Sequence, residues 1–276
     1  MPRRRILKRA PVVYILMQLR FAPILAMAKY VPDIQDALRR SGLPLMAEDA
    51  VKEVRVELND GAVQTATEHR VAWHFQDAGK TAAVVLRPDS FVFHASAYQD
   101  FERFLEAALK ALGLVHHGAS LGPISGLGLR YVDVLCPDAQ GSADRHLVAG
   151  LAGIEGRALE QVEDVPNAAG LHAVRERRML ESVYRTAHGM LVQRVIENAG
   201  QPALPPDVLE CKLKLRDLHA NTKDRFVTLD TDHFRSEDNT PFDLSMVEKG
   251  LRDLHAGTSA AFFAAINEEG AASWEQ

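Results

Sequence analysis

Residues 81–112 read Thr81-Ala-Ala-Val-Val-Leu-Arg-Pro-Asp-Ser-Phe-Val-Phe-His-Ala-Ser-Ala-Tyr-Gln-Asp-Phe-Glu-Arg-Phe-Leu-Glu-Ala-Ala-Leu-Lys-Ala-Leu112. An apolar run from Ala82 ends at Arg87-Pro88-Asp89-Ser90. Proline presets φ, and Asp and Ser bond back to the backbone, so this is a turn. Phe91-Val-Phe-His94 then resumes an extended, aromatic and β-branched pattern. After Tyr98 the period changes. Phe101, Phe104, Leu105, Ala108, Leu109 and Leu112 stand at i, i+3, i+4, i+7, i+8 and i+11, which is one face of a helix. Glu102, Arg103, Glu106 and Lys110 take the other face, and Gly113 is placed to stop the helix. Burying the large side chains of the apolar face is worth roughly 1.5–3 kcal/mol each, so the helix is expected to lie on the sheet that precedes it.

The second half echoes this stretch. Asp89, Phe91, Phe101, Phe104 and Ala108, moved on by 143 positions, fall on Asp232, Phe234, Leu244, Val247 and Leu251. Phe226-Val-Thr-Leu-Asp230 again suits a strand, Asp238-Asn-Thr-Pro241 a turn, and Leu244, Val247, Leu251 and Leu254 a helical stripe. Two related strand–turn–helix halves are therefore expected.

The 276 residues, 47% of them hydrophobic and 25% charged, can bury a large core in one big domain or two ordinary ones. A net charge of −5 argues against a protein that coats nucleic acid, leaving only a local basic patch for such contact. Cys136 and Cys211, without CxxC spacing, suit a reducing, cytoplasmic setting and offer no zinc site. Residues 12–21 follow several arginines, as a secretory leader would, but Gln18 and Arg20 interrupt the apolar run. Val13, Ile15, Met17, Leu19 and Phe21 alternate with their neighbours as a central strand does. No run reaches the ~20 apolar residues of a membrane span.

Pro23 and Pro32 bracket a link, and Ile34, Ala37 and Leu38 mark a short helix ended by Gly42. Strands are expected at residues 51–58 and 70–75, with Asn59-Asp60-Gly61 as the hairpin turn between them. Residues 114–127 read as a connector. Leu129, Tyr131, Asp133 and Leu135 share one side of the next strand, and Arg130, Val132 and Val134 the other. Residues 139–167 read as a linker or surface excursion, and two strands follow around His188-Gly189. Residues 208–218 alternate cleanly, Lys212, Lys214 and Arg216 against Cys211, Leu213 and Leu215, as a half-exposed antiparallel strand. Phe262, Phe263, Ile266 and Trp274 close the chain as a final helix. Strands mostly follow strands, so the class is α+β, an antiparallel sheet with helices packed on one face. The expected division is 1–137, a linker at 138–170, and 171–276, or one continuous domain.

Chemistry-bearing patterns are sparse. Asp230 and Asp232 form a DxD on one strand face, and with His233 they are the metal candidates, although no HExxH, HxH or Cys/His spacing accompanies them. Glycines 126 and 128 precede a strand, so they are not a phosphate-binding loop. Arg130, Tyr131 and Asp133 form the polar set most suited to line a ligand pocket. Lys212, Lys214 and Arg216 form a basic row able to touch phosphate, or else a solvated sheet edge. No nucleophile, base and oxyanion set stands out, no catalytic residue is named, and no cofactor is expected.

Four stretches resemble a bacterial family described only as "sporadically distributed". They are Ala10-Pro-Val-Val-Tyr-Ile-Leu-Met-Gln-Leu-Arg-Phe21, Tyr30-Val-Pro-Asp-Ile-Gln-Asp-Ala-Leu-Arg39, Gly128-Leu-Arg-Tyr-Val-Asp133, and residues 251–274 with their pattern Leu251-x-x-Leu254-His255-x-x-x-x-x-x-Phe262-Phe263. The resemblance implies no catalytic residues, and its patchy occurrence implies mobile gene cassettes such as bacterial defence modules. Sequence alone favours a non-enzymatic accessory protein acting through a protein partner. A small-ligand or nucleotide sensor comes next, then a metal-dependent hydrolase.

Overall fold

The strand expected at residues 12–21 lies in the middle of a nine-stranded antiparallel sheet. The computed structural model describes residues 7, 9–59, 62–137, 143–152, 176–218 and 224–275, and for 50–59, 62–70 and 152 the backbone alone. In chain order the strands are β1 (Val12–Phe21), β2 (Leu45–Asn59), β3 (Ala62–Gln76), β4 (Ala82–Arg87), β5 (Ser90–Ala95), β6 (Ile124–Leu135), β7 (Arg177–Thr186), β8 (Gly189–Ala199) and β9 (Arg225–Thr240). Across the sheet they run β2-β3-β4-β5-β1-β6-β9-β8-β7. The helices are α1 (Met27–Arg40), α2 (Phe101–Ala119), the short α3 (Ala149–Ala152) and α4 (Pro206–Leu209), then α5 (Leu244–Ala265) and α6 (Glu268–Glu275). The fold is α+β.

Both faces of the sheet's centre are apolar, which is why β1, β4 and β5 read as nearly unbroken hydrophobic runs. On one face Ile15, Met17 and Leu19 meet Ile34 and Leu38 of α1, Phe104 and Leu112 of α2, and Leu251 and Leu254 of α5. On the other, Tyr14, Val85, Val132 and Phe226 meet Val208, Cys211 and Leu213. A third cluster joins Val195, Val227 and Leu229 to Leu147, Ile266 and Ala271 at one end.

The organising stretch folds as its periods require. Pro88 and Asp89 sit in the tight turn, with Arg87 opposite Ser90. Asp100 caps α2, accepting from Arg103 N at 2.9 Å, and Asp243, 143 positions on, caps α5, accepting from Ser245 N at 2.8 Å. The strands of the echo differ. β9 is one 16-residue strand running through Asp238-Asn239-Thr240, where a turn is expected, so the β4–β5 hairpin has no counterpart inside it. Phe91 is buried on the helical face, whereas Phe234 faces the opposite side and is 40% exposed.

Four boundaries move. α2 continues through Gly113 to Ala119, because Val115 and Ala119 extend the buried stripe and a helical glycine costs only about 1 kcal/mol. It ends at Ser120, whose φ of 50° is left-handed. α1 starts at Met27 and contains Pro32, so the link before it is shorter than the prolines suggest. The final helix is two, α5 and α6, divided at Ile266 and Asn267. Residues 208–218 are no strand. After α4 the chain crosses the sheet face as an extended strap, held by Lys214 N to Lys80 O at 2.7 Å, Ser96 Oγ to Lys214 O at 2.8 Å, and Gln76 Nε2 to Cys211 O. From Cys211 to Leu215 alternate side chains are buried as expected, whereas Val208, expected to face outward, is buried and Leu209 and Asp217, expected to face inward, are exposed; a segment lying on a sheet face cannot join the ladder. Lys212, Lys214 and Arg216 therefore stand on the outside of a strap and do not form a sheet edge.

Among the described residues the edges of the sheet are β2 and β7, and β7 exposes Met179, Leu180, Val183 and Tyr184. β6 pairs along its length with β9, so residues on both sides of the expected linker build one sheet. Of that linker, residues 143–152 carry a short 3-10 turn (Asp144–His146) and α3, and the rest lies outside the described residues. So does the turn at Asp60-Gly61, although β2 and β3 pair up to Asn59 and Ala62.

Candidate functional site

Tyr131 and Asp133 sit two apart on β6, so both side chains point to the helical face. β6 lies between β1 and β9, which sets Val12 opposite Asp133 on one side and Thr231 opposite Tyr131 on the other. α2 and α5 cross this face antiparallel: Glu102 meets Arg252 near the start of α2, and Gly113 meets Leu244 farther along. Between the start of α2, the second half of α5, the start of β1, the end of β6 and Thr231 of β9 lies a cleft of about 530 Å³. That volume is within the range of small-molecule sites.

Aromatic rings build its walls. His255 stacks on Phe101 with centroids 3.8 Å apart and planes 10° apart. Its Nδ1 lies 3.1 Å from the Tyr131 hydroxyl, and Tyr98 meets Tyr131 edge-on at 5.7 Å. Phe262 and Phe263, mutually T-shaped at 5.4 Å, close the far side. The segment 10–12 forms another wall and is tied to α6 through Arg9 N to Trp274 O at 3.1 Å. Burial raises the Tyr131 phenol well above its usual range, so it stays protonated.

Asp133 is the exceptional group. It is 3% exposed, lines the cleft, and its carboxyl has no hydrogen bond among the described residues. Burial pushes its pKa up to about 7, with only the Arg216 guanidinium pulling it back. A buried carboxyl normally has its hydrogen bonds filled, since leaving them empty costs kilocalories. The two other carboxylates at the cleft are occupied: Asp100 caps α2, and Glu102 accepts from Arg252 Nη1 at 2.9 Å.

The expected ligand-binding trio is thus divided. Tyr131 and Asp133 share the cleft, but Arg130 points to the opposite face. There it donates to Asp230 from Nε at 2.6 Å and Nη2 at 2.8 Å, and to Asp207 of α4 at 2.5 Å. Arg194 Nη1 reaches the same Asp230 carboxylate at 3.2 Å. Asp232, on that face too, is pushed up to about 6 by burial, with Arg130 acting against the shift.

The metal candidates separate in the same way. Asp230 is saturated by two arginines, and His233 points to the helical face, between Thr186 Oγ1 at 2.9 Å and Leu254 O at 3.0 Å. A Cβ at Gly257 would stand 2.4 Å from that ring, so α5 approaches β9 closely only because this residue is glycine. Among the described residues no group of three or more His, Cys, Asp or Glu can hold a metal ion. Lys212, Lys214 and Arg216 are exposed and line neither the cleft nor the Arg130 pocket.

His255, Phe262 and Phe263 are visible in sequence only as a closing pattern, with no sign that they face Asp133. Residues 10–12, 131–133 and 255–263, far apart in the chain, meet at this cleft. No protein-family model matches the chain, and no curated protein matches it. No helix among the described residues is long and apolar enough to cross a membrane.

Proposed function

We propose that this chain is a small-molecule-binding protein whose receptor site is the cleft around Asp133. Sequence alone favours a partner-binding protein. The cleft reverses that order, because α1, α2 and α5 spend their apolar stripes on the sheet while the cleft leaves polar and aromatic groups converging on open space. The single observation that carries the reading is the Asp133 carboxyl, buried to 3% exposure, facing the cleft and without a hydrogen bond among the described residues. A ligand with an apolar body and a hydrogen-bond donor satisfies that group and covers Phe101, Phe262 and Phe263 in one step. Such a protein is a sensor or carrier, and its binding tunes stability directly.

A thermal-shift screen of metabolites tests this. A cleft ligand at about a hundred times its Kd stabilises by about 2.7 kcal/mol, which raises Tm by roughly 5–10 °C in a chain of this size. Ser259 lines the cleft. Ser259→Trp is expected to fill it and abolish the shift while leaving the far-UV circular dichroism unchanged. Hits that ignore this substitution, or a screen with no hit, would contradict the reading.

A further inference from the structure

We infer that the ligand of this cleft is an organic cation, an ammonium group carried on an aromatic or aliphatic body. The inference rests on the small-molecule reading above and specifies its chemistry. Among the described residues lining the cleft there are three carboxylates, Asp100, Glu102 and Asp133, and no lysine or arginine. Arg103 and Arg252 engage the first two from outside, which leaves Asp133 as the net attractor. Arg216 acts on Asp133 as well, but it lies on the exposed side of the strap and does not line the cleft.

Three ligand classes fare differently here. An anion meets an excess of carboxylate and, among the described lining residues, no lysine or arginine. A neutral body fills the apolar space and can at most hydrogen-bond to Asp133, bringing no charge to the carboxylate form. An ammonium group supplies both charge and N–H donors to Asp133, and such charge-assisted bonds are about twice as strong as neutral ones. The rings of Tyr98, Phe101, Tyr131 and Phe262 add surfaces that attract a cation lodged within about 6 Å of their centroids. A compact amine therefore gains at the head group what its neutral analogue forfeits.

The test is calorimetric titration of the full chain at neutral pH with phenethylamine, phenethyl alcohol, phenylacetate and benzyltrimethylammonium. Phenethylamine is expected to bind at least about tenfold tighter than the alcohol, with phenylacetate showing no binding. Asp133→Asn should bring the amine-to-alcohol ratio to about one. As a second variant, Tyr98→Leu should weaken benzyltrimethylammonium more than the alcohol. If the alcohol or phenylacetate binds as tightly as the amine, the cation is overturned and the small-molecule reading stands. If none of the four binds, the cation is overturned, and the metabolite screen decides the broader reading separately.

Discussion

Asp230→Ala is expected to destabilise the protein by about 3–5 kcal/mol, seen as a lowered midpoint in urea unfolding. Asp230 is 1% exposed and holds two guanidinium groups, Arg130 through two hydrogen bonds and Arg194 through one. Removing the carboxylate leaves the largely buried Arg130 charge with its main partner gone and only Asp207 and Asp232 nearby to answer it. The loss comes from that stranded charge and not from the intrinsic worth of the pair, since two charges taken from water together gain little net energy. It follows that Arg130→Met added to Asp230→Ala should recover part of the loss. Asp207→Ala, which removes the exposed partner, should cost under about 1 kcal/mol. A small effect from Asp230→Ala itself would mean that water reaches Arg130 beneath α4.

Asp133→Asn is expected to change how stability depends on pH. In the unfolded chain this carboxyl titrates near its usual value of about 3.9, whereas burial in the native state pushes it up to about 7, Arg216 notwithstanding. Between those values the native protein keeps a proton that the unfolded chain has released. Unfolding therefore releases a proton, and stability falls as pH rises from about 4 to about 7, by on the order of 4 kcal/mol in total. Asp232, raised by burial to about 6, adds a smaller slope of the same sign, which both proteins share. Asparagine cannot ionise. The variant should gain stability relative to the parent as pH climbs through that window, with the two converging in acid. Urea midpoints measured across the window check this; parallel curves for the two proteins would show that the native carboxyl is solvated.

Much of the fold is legible because it is local. The β4–β5 turn follows from Pro88 and Asp89, α2 from its stripe, and the β7–β8 hairpin from His188-Gly189 between two strands. The division of β6 into a Tyr131–Asp133 face and an Arg130 face also follows from period two. The strap was not legible as a strap. Alternation at 211–215 reports alternate burial, and burial looks the same whether a segment lies in a ladder or across one. β9 misled for a related reason: Asp238 and Asn239 are turn residues by type, and Asn239 takes a φ of 48°, yet pairing with Ile124 carries the strand on to Thr240. The site was half legible. Tyr131 and Asp133 stand out on one strand, but His255 and Phe262 lie over a hundred positions away. Only the β6–β9 pairing and the crossing of α5 bring them together.

The most direct measurement is a carbon-13 titration of the Asp133 carboxyl in the native protein, free and saturated with phenethylamine. In the free protein its midpoint is expected near 7, as its burial without a partner requires, and the amine is expected to lower it, because a cation at the carboxylate favours the charged form. A midpoint in the ordinary aspartate range in the free protein, or one that the amine leaves unmoved, would contradict the assignment of this cleft as a binding site anchored on Asp133.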